Sequence, residues 1–190
     1  MSALRVSMLL FFLTACAGGP EVPDWQVDAA QAMRAFQQDY LAGATGAADR
    51  DFSQVLASLK RTGREDLLAR AELARCAVRV AALDFDDCPA FEALRYAAGK
   101  DELAYSEYLA GKGARSTGDE PLSRLVALAV SFRNSSISPA QIQAAVDLAS
   151  SQGWRRPLLA WLAVQAKRAQ DGGDAEAAAR LRRRMDVISK

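Results

Sequence analysis

Glycine, proline and short polar caps cut this chain into brief segments, and within each segment apolar residues recur every third or fourth position. That period places apolar side chains on one face of a helix, whereas a half-buried strand needs alternation at every second residue. No stretch carries sustained period-two alternation rich in Val, Ile and Thr. The pattern therefore confines the chain to an all-α fold of about eight to nine helices, arranged as antiparallel pairs with short loops.

The segments are predicted as follows. Asp24 caps a first helix to about Leu41, with Val27, Ala30, Met33, Phe36 and Tyr40 on its apolar face. Gly43 and Gly46 end it, and a second helix runs from about Ala47 to Lys60. Thr62 and Glu65 have capping-box spacing and open a third helix to about Leu83. Its apolar stripe, Leu67, Ala71, Ala74, Val78 and Ala81, is widened by Leu68, Cys76, Ala77 and Val80, so it is expected to be well buried. Pro89 starts a fourth helix to about Ala98, and Asp101 caps a fifth through Leu109. Gly111 to Gly118 is a loop. Pro121 opens the sixth helix. Ser138 and Gln141 form a second capping box, with Pro139 at the first helical position of the seventh. The eighth begins near Trp154, because Pro157 is tolerated only in a first turn. The ninth follows the turn Asp171 to Asp174 and ends near Ile188.

Ala48 and Phe52 lie five and nine residues beyond Gly43; Ala178 lies five beyond Gly173, with Leu181 near the place of Phe52. This spacing resembles the turn and second helix of a tetratricopeptide repeat, although the aromatic and glycine positions of that repeat's first helix are not both filled.

The first twenty residues, MSALRVSMLLFFLTACAGGP, follow a different logic. One charge, Arg5, precedes an apolar run from Val6 to Ala15. About 20 apolar residues are needed to span a bilayer as a helix, so this run has the length of a signal-peptide core instead. Leu13-Thr14-Ala15-Cys16 resembles the lipobox of bacterial lipoproteins. The resemblance implies cleavage before Cys16, a diacylglyceryl group on its sulfur and an acyl chain on its new amine. Several chains together anchor stably where one binds only marginally. Ala17 in place of Asp implies the outer membrane. Residues 1–15 are then a signal peptide and 16–23 a lipidated tether. The segment AGGPEVP within that tether spans at most about 25 Å. Residues 24–190 form a single periplasmic domain.

Composition narrows the chemistry. Lys and Arg number 24, Asp and Glu 23, and cleavage after residue 15 leaves 23 of each sign. That balance argues against nucleic acid as a partner, since phosphate binding needs a basic excess. The chain has no histidine. Ser-His-Asp and Cys-His catalysis and His-ligated zinc are excluded with it, and three cysteines cannot supply a four-thiolate site. No cofactor or metal site is expected. In an oxidising periplasm, Cys76 and Cys88 are expected to form a disulfide. It would close a loop of about 13 residues, worth about 3 kcal/mol in loop-closure entropy.

Three clusters invite a functional reading. Asp84-Phe85-Asp86-Asp87 lacks the spacing, glycine and terminal glutamate of an EF-hand loop and reads as an acidic helix end. Glu102 and Glu107 flank Tyr105, with Tyr108 next; a catalytic glutamate there would suggest a peptidoglycan lytic enzyme, but their spacing of five separates them on a helix. Arg180, Arg182, Arg183 and Arg184 follow Asp174 and Glu176, an order that suits the helix dipole and also offers a patch for headgroups or an acidic partner. Tyr105, Tyr108, Arg180, Arg183 and Arg184 are the candidate binding surface. The sequence favours an adaptor or envelope assembly module, held at the membrane by its lipid and contacting another envelope protein. A carboxylate enzyme on cell-wall glycan, or a small-molecule carrier with a pocket at Trp154 and Trp161, are the alternatives.

Overall fold

The computed structural model describes residues 22–113 and 118–190. Cys16, the lipobox and most of the tether lie outside them, as do residues 114–117 of the expected loop. Among the described residues there are nine helices and no strand. They are α1 (Asp24–Ala42), α2 (Thr45–Lys60), α3 (Glu65–Ala81), α4 (Pro89–Glu92), α5 (Lys100–Leu109), α6 (Pro121–Arg133), α7 (Pro139–Ser151), α8 (Arg155–Asp171) and α9 (Ala175–Ser189). None is long and apolar enough to cross a membrane.

The closest helix pairs are α1 with α2 and α8 with α9. Both hairpins turn on one device. Gly43 and Gly173 sit at φ 85° and 80°, in the left-handed region that a Cβ disfavours. Around Gly43, Gly43 N–H donates to Tyr40 and Ala44 N–H to Asp39, closing the helix end with two bonds. Around Gly173 the same bonds run from Gly173 to Gln170 and from Asp174 to Ala169. Ala48 and Ala178 then lie fully buried at equivalent places in the second helix of each pair. A methyl group at that point lets the two helices approach closely.

α3 organises the rest. Leu73, Cys76, Ala77 and Val80 join the larger core with α6, α7 and α8, while Ala71 and Val78 join the smaller core with α1 and α2. A helix buried on two sides must be apolar around most of its circumference, which the widened stripe of α3 satisfies. Trp161 is fully buried in the larger core, edge-on to Phe132 at 5.7 Å, and its indole N–H donates to the Ala81 carbonyl. It is core, not the wall of a ligand pocket. α1 also contacts α8. The first hairpin therefore closes onto the C-terminal half, a contact that a linear array of nearest neighbours does not make.

Several local expectations are corrected. Val27 and Ala30 are exposed; the buried face of α1 is Ala29, Ala32, Phe36 and Tyr40. At about 100° per residue, Val27 stands about 180° from Phe36, and the large aromatic rings decide which side turns inward. Asp24 is the first helical residue and not the cap, which is Pro23. α5 starts at Lys100 behind Gly99, one residue before Asp101. Thr62 does not cap α3. Its hydroxyl donates to Leu59 O and accepts from Arg64 N, closing the end of α2 instead. The fourth helix is not continuous: Pro89–Glu92 is one turn, followed by a 3₁₀ turn at Arg95–Ala97. Cys88 holds its start beside α3, and Arg95 is drawn to Ser106 and Glu107 of α5. Those two ties, seven residues apart in sequence, leave no room for a straight helix. The Ser138 capping box forms in full.

Cys76 and Cys88 are at disulfide distance, with Cα atoms 5.6 Å apart, inside the range a bridge requires.

Candidate functional site

An open cleft lies where α7, α8 and α9 meet and encloses about 510 Å³. Each helix contributes for a local reason. The Ser138 box and Pro139 start α7 at the cleft, so Ile142 closes its first turn and Gln143 opens its second. α8 presents Gln165 and Arg168, three residues apart and therefore on one face. The Asp174 side chain accepts from Ala177 N–H and sets the start of α9, which presents Ala177, Leu181, Arg180 and Arg184. Pro139, Ile142, Ala177 and Leu181 make an apolar floor, and Arg168, Arg180 and Arg184 form the rim.

Polar contacts hold the rim in place. Arg184 donates to Ser150 Oγ on α7 at 3.3 Å, across the cleft wall. Arg180 pairs with Glu176 one turn back on α9. Gln165 Nε2 donates to Gln143 Oε1 at 2.8 Å, and Gln143 donates to Asp147 at 2.8 Å. No carboxylate is among the residues lining the cleft. The Arg168 side chain has no ion-pair or hydrogen-bond partner among the described residues.

The expected binding residues divide. Arg180 and Arg184 line this cleft; Arg183 stands on α9 outside it. Tyr105 and Tyr108 lie elsewhere, on α5, stacked on each other with centroids 6.0 Å apart and half-buried against the larger core. The surface read from sequence is thus two places, and the aromatic pair is partly structural. Arg168, Gln143 and Gln165 escaped notice. The i, i+3 pair Gln165 and Arg168 beside an apolar face was the available signal, but joining it to α7 requires the tertiary packing.

A second recess of about 440 Å³ lies between the Asp87–Arg95 segment, α5 and α6. Its charges cancel. Arg95 binds Glu92 at 3.0 Å and Glu107 at 2.7 Å, Lys112 also faces Glu107, and Arg133 pairs with Asp87. The hydrogen bond from Arg95 and the charge of Lys112 hold Glu107 below the usual carboxylate range. Glu102 is held low as well, first by backbone N–H groups and then by Arg70 at 2.7 Å. A general acid for glycoside cleavage needs the opposite shift.

Two carboxyls are pushed up. Burial raises Glu72, and Arg75 stands 2.7 Å from its Oε2 as an ion pair, off line for a hydrogen bond. Local desolvation and the neighbouring Asp39 raise Asp51. Neither lines the two larger cavities. The acidic turn is tied down by arginines: Asp84 and Asp86 by Arg79, Asp87 by Arg133. Asp86 Oδ and the sulfurs of Cys76 and Cys88 lie within 4.8 Å of one another, but two sulfurs at bonding distance and a carboxylate held by Arg79 do not suit a cation.

No protein-family model, curated protein or solved structure matches this chain.

Proposed function

We propose that this protein is an outer-membrane-anchored periplasmic lipoprotein whose helical domain acts as a protein-interaction or envelope assembly module. The open, arginine-rimmed cleft of α7, α8 and α9 carries this reading. Its polar groups are positioned by side-chain contacts between helices, yet the rim leaves Arg168 unengaged, which is the condition of a surface waiting for a partner. The lipobox-like Leu13-Thr14-Ala15-Cys16 supplies the address. The short hairpins are read as tetratricopeptide-like units, closed on themselves through the α1–α8 contact. Export makes the Cys76–Cys88 pair a structural disulfide.

The glycan-cleaving alternative loses support because both candidate glutamates are held low, Glu102 by backbone N–H groups and then Arg70, Glu107 by Arg95 and Lys112. Two experiments test the proposal. Crosslinking in the native envelope, followed by identification of partners, should recover a specific envelope protein; recovery of none would count against an adaptor. Fractionation of a Cys16→Ser variant should release the protein from membranes. Peptidoglycan clearing by the wild type that disappears in Glu102→Gln or Glu107→Gln would replace the adaptor reading with an enzymatic one.

A further inference from the structure

The cleft of α7, α8 and α9 defines what its occupant must carry. The chain as a whole is nearly neutral, with a net charge of +1. The cleft is not: three guanidinium groups from two helices line it, and none of its lining residues is acidic. The Glu176 partner of Arg180 stands outside the lining and is exposed. An occupant therefore brings negative charge to the rim. The floor, Pro139, Ile142, Ala177 and Leu181, asks for something apolar between those charges. Gln143 and Gln165 offer amides, groups that match a polypeptide backbone in both donor and acceptor character.

A free phosphate meets the rim and leaves the floor empty. A bilayer surface is broad, and its headgroups meet protruding arginines; a floor recessed between three helices stays out of its reach. An amphipathic polypeptide segment satisfies rim, floor and amides together, in the way a helix or extended peptide lays apolar side chains into a groove and its charges on the edge. Arginine suits this use, because its planar fork binds carboxylates bidentately and is weakly hydrated. The volume of about 510 Å³ falls within the usual range for binding clefts, about 300–1,000 Å³.

We infer that this cleft docks an acidic amphipathic segment of a partner protein, with Arg168 and Arg184 pairing to its carboxylates and Ile142 and Leu181 receiving its apolar side chains. The inference rests on the adaptor reading and names the chemistry of the partner.

The test uses the full lipidated protein in its own envelope. A photo-crosslinking amino acid is placed at Gln143 or Gln165 in the cleft, and separately at Gln54, which lines a different recess between α1 and α2. The crosslinked segment is mapped by peptide sequencing. The expected result is a cleft crosslink to a segment bearing Asp or Glu beside apolar residues. Arg168→Glu with Arg184→Glu should lower that crosslink at least about tenfold, and reversing the segment's own charges should restore it. Both arginines are exposed, so the double variant should melt like the wild type; Arg168→Gln with Arg184→Gln serves as the neutral counterpart and should give an intermediate loss. A cleft crosslink to lipid, or to a segment without carboxylates, overturns the inference. So does a silent cleft with a protein captured from Gln54, an outcome that leaves the adaptor reading standing. No protein captured from any position overturns both.

Discussion

Arg156 of α8 is expected to hold the two halves of the molecule together. Its Nε donates to the Tyr40 carbonyl at 2.8 Å and its Nη2 to Thr45 Oγ1 at 2.6 Å. Its guanidinium also lies 4.2 Å from the centre of the Tyr40 ring. One half-buried side chain thus closes the C-terminal end of α1, reaches the first residue of α2 and stacks on an aromatic face. Arg156→Met keeps most of the aliphatic stem and removes all three. Two charge-assisted hydrogen bonds in a half-exposed setting contribute about 1 kcal/mol each, and the ring contact adds about 0.5–1. The expected loss is about 2–3 kcal/mol. For a domain of this size that lowers Tm by roughly 5–10 °C. Urea unfolding followed by circular dichroism measures it directly. Arg155→Met is the internal comparison: Arg155 is exposed and makes one bond, to Ala42 O at 3.1 Å, so its loss should stay within about 1 kcal/mol. Tyr40→Phe keeps the ring and loses only the hydroxyl bond to Asp84. Because Arg156 and Tyr40 touch and both act on Asp84, the double change should depart from the sum of the two single changes by about 0.5 kcal/mol or more. A loss below about 0.5 kcal/mol for Arg156→Met, or one no larger than for Arg155→Met, would refute the lock. α8 also carries Gln165 and Arg168, so the same lock fixes the helix that builds the cleft.

Three further outcomes are expected. Cys88→Ser, or reduction of the wild type, should cost about 3 kcal/mol in urea unfolding, because Cys76 and Cys88 would close a loop of about 13 residues; no difference between oxidised and reduced protein would show that no bridge forms. Burial resists ionisation of Asp84, but bonds donated by Arg79 and Tyr40 outweigh it and hold its carboxyl below the aspartate range. Its contribution is therefore present above about pH 4 and lost as pH falls through the lowered folded value. Asp84→Asn should flatten the acid limb of the stability curve while lowering stability at pH 7. Asp51 has the opposite sign: its carboxyl is raised, so its charged form destabilises the fold, and stability falls as pH rises above about 4. Asp51→Asn should raise Tm at pH 7, with the gain vanishing below about pH 4. A lower Tm at pH 7 would mean that Asp51 makes a favourable contact outweighing its repulsion from Asp39. Tyr40 acts on the acid limb only as a donor to Asp84 and does not itself titrate there, since burial and the nearby Asp84 push its hydroxyl up to about 12.

Helix identity was legible in the chain because it rests on local physics. Apolar spacing of three and four, the Ser138 capping box, Gly43 after α1 and Gly173 after α8 act within a few residues; the capping box and these two glycines hold in the structure, whereas Gly46, expected to end the first helix, lies inside α2. The well-buried character of α3 was legible for the same reason: an apolar stripe too wide for one contact implies two. Failures cluster where distant groups compete. Cys88 and Arg95, tied to α3 and α5, break a segment that by itself reads as one helix. The rotation of α1 is set by where Phe36 and Tyr40 can pack, not by its list of apolar residues. Pairing of charges is likewise non-local. The acidic turn and the glutamates of α5 look free in one dimension, and arginines 5 to 46 residues away pair with every one of them. Arg180 and Arg184 could be named from sequence as a basic run. That they meet Arg168, Gln165 and Ile142 across three helices, and so rim an apolar cleft, was decided only when α9 folded back onto α8 and α8 onto α7. The sequence alone determined that the described residues are helical and where most of the helices turn. Tertiary packing decided which of its polar residues face one another, because the contacts that join them span distances no local period encodes.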